Sequence, residues 1–364
     1  MISFGMSEEQ QLIRDAMREF AADEIRPIAR ASDEAGEIPA GFLETVWTLG
    51  LTNTQIPEEY GGAGEERAWV TNAILLEELA FGDAALAIAA LAPSLFANAI
   101  LDQGTEDQKK TYLPLFCGES FATGSLAVSE PFALADASAP RTTAEPKDDS
   151  FILSGRKTMV VFGDRASHFL ITAQLGDDLA AFIVPRDAAG LEISEPEKKM
   201  GLRGLTTTGL EIERVEVGAD ALLGGAEGAD VQQILNVSRT GLSAVMLGLS
   251  RAVLEYCVPY TKDRVAFDEP IAKKQSIAFR LSEMHIEQHA MRLLVWRAAS
   301  LIEHGEDATQ AVWQARSYAA EKSMWIADNG VQILGGHGYI REHPVEMWFR
   351  DARTLGVLEG MVAI

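Results

Sequence analysis

Cysteine is scarce in this 364-residue sequence, which contains only Cys117 and Cys257. Two thiols cannot form the disulfide framework of a small secreted domain, and by themselves they cannot make a four-ligand zinc site. We expect both to be reduced and to pack like small apolar residues. A chain of this length can bury a sizeable core without such cross-links.

Positive charge is also in short supply, with 31 Lys and Arg against 54 Asp and Glu, a formal net charge of -23. Such a charge repels phosphate backbones and anionic membranes, so we expect no nucleic-acid partner. The first ten residues are acidic where a secretory signal would be basic, and we expect no apolar run near the ~18 residues of a membrane span. These features predict a cytoplasmic protein with no membrane span.

Several sequence motifs with known chemistry are missing. No GxGxxG or GxxxxGK[ST] pattern occurs, which disfavours a doubly wound nucleotide-binding fold, and no GxSxG elbow supports a serine hydrolase. His285 and His289 are spaced to share one helical face, but the HExxH order is absent. We therefore interpret the two histidines as part of an ordinary polar or interhelical face, and predict no metal site.

Hydrophobic periodicity divides the chain into three segments, and we predict an α+β fold that is mainly α. Residues 1–121 have the three- and four-residue apolar spacing of helices, and Ser7 with Gln10 predicts a capping box at the start of the first helix. Residues 122–222 have short apolar runs separated by predicted turns such as Asp148-Asp149 and Gly176-Asp177-Asp178. Residues 223–364 return to long helical stripes typical of side-by-side packing, such as Leu242, Met246, Leu249 and Val253. The predicted order is an N-terminal helical domain, a middle antiparallel β-domain and a C-terminal four-helix bundle.

The most informative segment runs from Val331 to Gly360, VQILGGHGYIREHPVEMWFRDARTLGVLEG. Its glycines predict a bend at a helix end that lets a ligand approach main-chain groups, although an ordinary cap between helices has the same pattern. The whole segment resembles the acyl-CoA dehydrogenase family, with its pattern QILGGxGYxxExPVExxxRDAR followed by Glu-Gly. Further similar segments cover nearly the whole chain: PEEYGGAG, EELAFGD, GTEDQKKTYLP, KMGLRG and RVAFDEPIAKKQ.

The resemblance implies the fold described above and a flavin-dependent α,β-dehydrogenation of an acyl-CoA to the trans-2-enoyl-CoA. In that family a carboxylate removes the α-proton while the β-hydrogen leaves as a hydride to flavin N5, and the matching residue here is Glu359. Some members place the base just before an arginine on an earlier helix, but that position is Ser238, before Arg239. The family also holds the thioester oxygen with the backbone N–H of the base and a ribityl hydroxyl.

The same resemblance implies an FAD cofactor shared between two subunits of a homodimer or homotetramer, with an electron-transferring flavoprotein as acceptor. Arg264 would meet the pyrophosphate of the neighbouring subunit's flavin. The other residues that it places near the cofactor are Ser129, Met159, Val161, Phe267, Gln275, Gln332 and Gly336. Those that it places near the thioester substrate are Ala135, Asn236, Arg239, Leu358 and Gly360.

The middle segment departs from the family pattern where it should face the isoalloxazine ring. SEPFALAD replaces TEPxAGSD, and KTMVVFG replaces KxWITNG, which puts Met159 at a tryptophan position and Val161 at a threonine position. After Gly360 the family continues with threonine and a closing helix, where this sequence has Met361 and stops at Ile364. Each lost hydrogen bond costs about 0.5–1.5 kcal/mol, so we expect weakened flavin binding.

Three interpretations follow from this pattern. The first is an active acyl-CoA dehydrogenase, which the retained Glu359 favours. The second is a flavin-poor, non-catalytic subunit that completes the cofactor site of a paralogous partner. The third is a dehydrogenase of acyl groups tethered to a carrier protein, which would tolerate lost contacts to CoA.

Overall fold

A computed structural model describes residues 5–364. The N-terminal part is helical, and the side chains of Ser7 and Gln10 form the predicted capping box at the start of the first helix. A π-helical turn, Ala21–Ile25, joins the first helix to the second. The helices of this part are α1 (Glu8–Phe20), α2 (Arg26–Ala35), α3 (Phe42–Trp47), α4 (Trp69–Gly82), α5 (Ala84–Gln103) and α6 (Glu106–Tyr112).

The middle part is a seven-stranded sheet with the order β1-β4-β2-β3-β7-β6, in which β5 also pairs with β4. The predicted turns at Asp148-Asp149 and Gly176-Asp177 join neighbouring antiparallel strands. The sheet differs from the predicted antiparallel arrangement because β1 and β2 pair with β4 in parallel. Its strands are β1 (Ser125–Ala127), β2 (Thr143–Lys147), β3 (Ser150–Val161), β4 (His168–Leu175), β5 (Asp178–Pro185), β6 (Leu191–Ile193) and β7 (Thr207–Gly218).

The C-terminal part is a helical bundle in which α7 packs against both α8 and α9, and α9 packs against α10. A small hairpin of β8 and β9 connects α7 to α8. The predicted stripe of Leu242, Met246, Leu249 and Val253 is fully buried. The elements are α7 (Val231–Asp263), β8 (Val265–Ala266), β9 (Glu269–Pro270), α8 (Gln275–Glu303), α9 (Thr309–Leu334) and α10 (Val345–Leu355). The predicted α+β, mainly helical fold is confirmed.

The expectation that no apolar run approaches the length of a membrane span was wrong. Helices α5 and α7 are both long and apolar enough to cross a membrane by length and composition. However, 94% of the apolar window of α5 and 83% of that of α7 are buried inside the protein. They are apolar on all sides because other helices and the sheet surround them.

The two cysteines are unpaired and the two histidines share one helix, as the sequence predicts. Cys117 and Cys257 are free thiols, and burial raises the pKa of Cys257 to about 12. His285 and His289 lie on α8 with their ring centroids 4.4 Å apart. Within residues 5–364, no group of three His, Cys, Asp or Glu side chains could hold a metal ion.

A buried network of charges joins α4, α7 and α8 inside the helical core. Arg251 Nη1 donates to Glu77 Oε1 at 2.8 Å and to Glu78 Oε1 at 2.6 Å. Arg292 Nη2 donates to Glu77 Oε1 at 2.6 Å. Burial alone would raise the pKa of Glu77, but Arg292 and Arg251 lower it overall. The network therefore favours the charged form of Glu77 within the core.

The close crossing of α4 and α7 depends on Gly248. A Cβ atom at this position would lie 2.3 Å from the Glu77 carbonyl oxygen and 2.8 Å from the Ala80 Cβ. We predict that Gly248→Ala lowers the free energy of unfolding by about 1–3 kcal/mol through overpacking, as measured by urea denaturation. Gly118→Ala is the matched control, since no atom lies within 4 Å of its added Cβ. Equal stability of the two variants would contradict this account of the crossing.

Candidate active site

A cleft of about 630 Å³ opens between the edge of the sheet and the end of α10. Its volume lies in the range of small-molecule and cofactor sites. One wall comes from the segment that follows β1, and the opposite wall from the residues that follow α10. The lining residues most relevant to the predicted chemistry are Ser129, Ala135, Thr158, Met159, Leu358 and Glu359.

The structure brings Glu359 and Arg239 together. The Arg239 Nε donates to Glu359 Oε2 at 3.0 Å, and about a quarter of the Glu359 side chain is exposed. Arg239 itself is buried on α7, with its guanidinium 4.8 Å from the ring centroid of Trp313. Within the described chain its Nη1 has no hydrogen-bond partner. A charge-assisted hydrogen bond therefore fixes the carboxylate while leaving part of it open to the cleft.

The backbone around Glu359 lies close to the sheet. The Ser129 hydroxyl donates to the Glu359 carbonyl at 3.3 Å. Gly360 has φ 70°, and an added Cβ there would lie 2.9 Å from Val128 Cγ2, so this position favours glycine on both counts. Leu358 and Gly360 are buried on either side of the base. Among residues 5–364, no hydrogen-bond acceptor meets the Glu359 N–H, which leaves it available to a ligand.

The predicted ring-facing residues fall in two different places. Met159 borders the cleft in a left-handed conformation, φ 57°, beside a register irregularity between β3 and β7. Its N–H donates to Glu197 Oε2 at 3.1 Å, and the Thr158 hydroxyl also donates to Glu197. Val161 is fully buried, and its carbonyl accepts a hydrogen bond from Ser125. Ser129 and Met159 thus reach the cleft, whereas Val161 packs behind it.

A buried ion pair that sequence reasoning missed supports the sheet side of the cleft. Lys157 Nζ lies 3.0 Å from Glu130 Oε1, and burial lowers the pKa of Lys157 to about 8. Glu130 also accepts hydrogen bonds from the N–H groups of Arg141 and Thr142. Burial opposes these interactions, but with Lys157 they lower the pKa of Glu130 overall. Glu130 precedes the loop that carries Ala135, and Arg141 and Thr142 follow it, so these hydrogen bonds hold the two ends of the loop together.

The predicted substrate residues are also divided. Ala135 lies in the cleft wall, next to Leu134, which is fully exposed and has φ 60° where the family has glycine. Asn236 is buried on α7, where it donates to the Thr309 hydroxyl at 3.1 Å. Together with Arg239, Asn236 belongs to the helical side of the site. Their roles in substrate binding stay predictions.

Five predicted cofactor residues lie on exposed surface at the β8–β9 hairpin, the start of α8 and the end of α9. None of them lines the cleft around Glu359 among the residues that the structure describes. All are exposed, and Phe267 is 88% exposed. The set is Arg264, Phe267, Gln275, Gln332 and Gly336.

The residues that could hold FAD form two separate groups, and the chemistry of each group fits a different part of the cofactor. The cleft has the volume for a ring system and offers the Ser129 hydroxyl together with an unpaired backbone N–H. The exposed surface offers Arg264 for a pyrophosphate and the amides of Gln275 and Gln332 for an adenine end. The separation of these parts is the arrangement expected for a cofactor that a second subunit helps to hold.

Family models cover almost all of the chain. Those described as the acyl-CoA dehydrogenase N-terminal, middle and C-terminal domains match residues 7–120, 125–215 and 226–364. The sequence is 35% identical over 364 residues to a 3-(aryl)acrylate reductase of Clostridium sporogenes, covering 97% of this chain and 95% of the relative.

Solved structures give the same result. Butyryl-CoA dehydrogenase from Megasphaera elsdenii superposes with a TM-score of 0.88 and 32% identity, covering 99% of this chain and 96% of the other. A glutaryl-CoA dehydrogenase from Mycobacterium smegmatis in complex with FADH2 has a TM-score of 0.87 and 25% identity, covering 98% and 92%. The predicted family, fold and FAD cofactor are confirmed. The chain belongs to the acyl-CoA dehydrogenase family and is a flavin-dependent oxidoreductase that acts on CH–CH bonds.

Proposed function

We propose that this protein oxidises an acyl-CoA thioester to the trans-2-enoyl-CoA, with Glu359 as the base that removes the α-proton. The observation that carries the proposal is the position of Glu359, whose partly exposed carboxylate borders the cleft next to its own unpaired N–H. A base and a hydrogen-bond donor on one residue suit a carbon acid, because the donor stabilises the negative charge that the base creates.

Three features of the chain support proton removal at this place. Arg239 fixes the carboxylate by a 3.0 Å hydrogen bond, so few orientations compete with the productive one. The Glu359 N–H is available to donate a hydrogen bond to the thioester oxygen. This hydrogen bond would make the α-carbon more acidic. The buried neighbours Leu358 and Gly360 limit the access of water to the base. FAD, when bound, supplies the acceptor for the hydride that leaves the β-carbon.

The residues proposed to hold FAD are those that the sequence predicted. Ser129 and Met159 would meet the ring at the cleft, and Val161 would support it from behind. Arg264, Phe267, Gln275, Gln332 and Gly336 would hold the dinucleotide end of a neighbouring subunit's cofactor. Met159 gives an apolar contact in place of a tryptophan face, which is why we expect this chain to bind FAD less tightly than a family member with the tryptophan.

Exposed apolar side chains on α8 support an oligomer. Phe279, Ile286 and Leu293 are each about half or more exposed and lie seven residues apart. Residues at this spacing share one helix face, and such a stripe favours packing against another protein surface. We propose a homodimer or homotetramer that completes the shared cofactor sites. The electron-transferring flavoprotein as acceptor and the cytoplasmic location stay predictions.

The proposal is tested by adding acyl-CoA thioesters of different chain length to the purified protein without oxygen. We expect a yellow protein whose visible flavin absorbance is bleached by at least one of them, with the trans-2-enoyl-CoA recovered as product.

A colourless protein that acquires flavin only when mixed with a paralogue would instead support the non-catalytic subunit. Bleaching by acyl groups on a carrier protein but not on CoA would support the carrier-dependent enzyme. Turnover that runs only from enoyl thioester to acyl thioester would contradict the proposed direction.

A further inference from the structure

Arg316 on α9 holds the backbone that leads to Glu359. Its Nη2 donates to the carbonyl oxygen of Leu355 at 3.0 Å and to that of Leu358 at 2.7 Å. Leu355 is the last residue of α10, and Leu358 directly precedes the proposed base. One side chain from a neighbouring helix therefore fixes the whole turn between α10 and Glu359.

The environment of Arg316 is unusual for a buried cation. It is 5% exposed, and within the described chain no carboxylate forms a salt bridge with it. Its other nitrogens make weak hydrogen bonds or none: the Nη1 lies 3.8 Å from the Met246 sulfur, and the buried Nε has no partner among the described residues. The pKa of Arg316 is lowered overall, because burial and the nearby charge of Arg239 lower it more than Glu359 raises it. Burying a guanidinium without a salt-bridge partner costs free energy. A neutral donor could cap the two carbonyls without this cost, so capping alone does not explain an arginine at this position.

The bond to Leu358 acts on the group that the proposed reaction needs. The Leu358 carbonyl and the Glu359 N–H belong to one planar peptide unit and point in opposite directions when that unit is trans. Holding the carbonyl therefore sets the direction of the N–H. A cationic donor on the carbonyl also polarises the peptide, which makes its N–H a stronger donor.

We propose that Arg316 is a positioning residue, which orients and strengthens the Glu359 N–H as the donor to the thioester oxygen. This inference rests on the proposed function of Glu359. Arg316 acts through the peptide unit between Leu358 and Glu359, and it does not contact the substrate. Its effect is therefore expected in the transition state more than in the initial binding of substrate.

The test compares Arg316→Met, Arg316→Lys and a control, Arg156→Met, whose arginine forms an exposed ion pair with Glu211. We expect Arg316→Met to lower kcat by about 10- to 100-fold with little change in KM, because it weakens one oxyanion donor. Arg316→Lys keeps the charge with fewer donors and should recover part of the loss. Arg156→Met should match the wild type. Flavin content and thermal unfolding are measured for every variant.

A spectroscopic readout separates positioning from a purely structural role. A conjugated enoyl-CoA, such as crotonyl-CoA, absorbs at longer wavelength when its thioester carbonyl accepts a strong hydrogen bond. We expect this shift to be smaller in Arg316→Met than in the wild type, and intermediate in Arg316→Lys. Wild-type kcat and a wild-type shift in a folded Arg316→Met would overturn the proposal. If that variant does not fold, wild-type values in Arg316→Lys would overturn it.

The shift does not require proton removal, so this test and that of the proposed function can fail separately. Full turnover in Glu359→Gln would refute Glu359 as the base, whatever the Arg316 variants do. Loss of turnover in Glu359→Gln together with wild-type kcat and shift in the Arg316 variants would leave the proposed function standing and refute the role of Arg316.

Discussion

Glu359→Gln is expected to lower kcat by about 10²- to 10⁴-fold while the protein keeps its FAD. The amide has almost the same shape as the carboxylate, but it cannot accept the α-proton, and a positioned general base contributes a factor of this size. Steady-state turnover with the best acyl-CoA substrate measures the effect. The visible flavin spectrum of the same preparation shows whether the cofactor is retained.

Two further variants control for the loss of charge beside Arg239. Glu359→Asp keeps a carboxylate but shortens its reach, so its turnover should fall between those of the wild type and Glu359→Gln. Glu211→Gln removes a surface carboxylate and should have wild-type turnover. A Glu359→Gln enzyme within about twofold of the wild type would be incompatible with a general base at this position.

The largest effect on stability is expected at Arg251. Arg251→Met leaves the buried Glu78 without its guanidinium and leaves Glu77 with Arg292 alone. Removing one member of a buried charge network typically costs about 3–5 kcal/mol, because a carboxylate remains desolvated and unpaired. Urea denaturation followed by circular dichroism measures the change in the free energy of unfolding. The exposed pair of Arg156 and Glu211 is the matched control, and Arg156→Met should cost no more than about 1 kcal/mol.

The difference between Arg251→Met and the wild type should depend on pH. The pKa of Glu77 is lowered in the folded protein, so its ion pairs contribute stability above the unfolded-state pKa, and this contribution is lost as the pH falls through the folded-state pKa. Arg251→Met has already lost part of this contribution at neutral pH, because Glu77 keeps only Arg292. The gap between the two proteins should therefore be largest near neutral pH and narrow in acid. A gap that widens in acid would show that Arg251 stabilises the core in another way.

Local patterns predicted much of the fold because they depend on residues near in sequence. Ser7 and Gln10 make the predicted capping box, and Asp148-Asp149 makes the predicted turn. The parallel pairing of β1 with β4 was not predicted, since it joins strands more than 40 residues apart and no turn specifies it. The expectation of no apolar run near the length of a membrane span failed at α5, because a core helix that is buried on all sides is as apolar as a membrane span.

Family motifs identified the candidate site, but only the structure shows which of its residues meet. The Glu-Gly pair located Glu359, whereas its contact with Arg239 joins positions 120 residues apart. Lys157 begins the KTMVVFG segment, but the motif indicated no partner for it, and Arg316 belongs to none of the motifs identified in the sequence. Their partners, Glu130 for Lys157 and two backbone carbonyls for Arg316, come from distant segments. Such contacts follow from tertiary packing and cannot be derived from spacing along the chain.

Hydrogen exchange at the substrate α-carbon tests the central claim most directly. The holoenzyme is incubated in deuterated water with an acyl-CoA analogue that carries sulfur at the β-position, so that no hydride can be transferred, and mass spectrometry follows the incorporation of deuterium. We predict exchange by the wild type and only the uncatalysed rate with Glu359→Gln. Exchange at equal rates by both proteins would show that another group removes the proton.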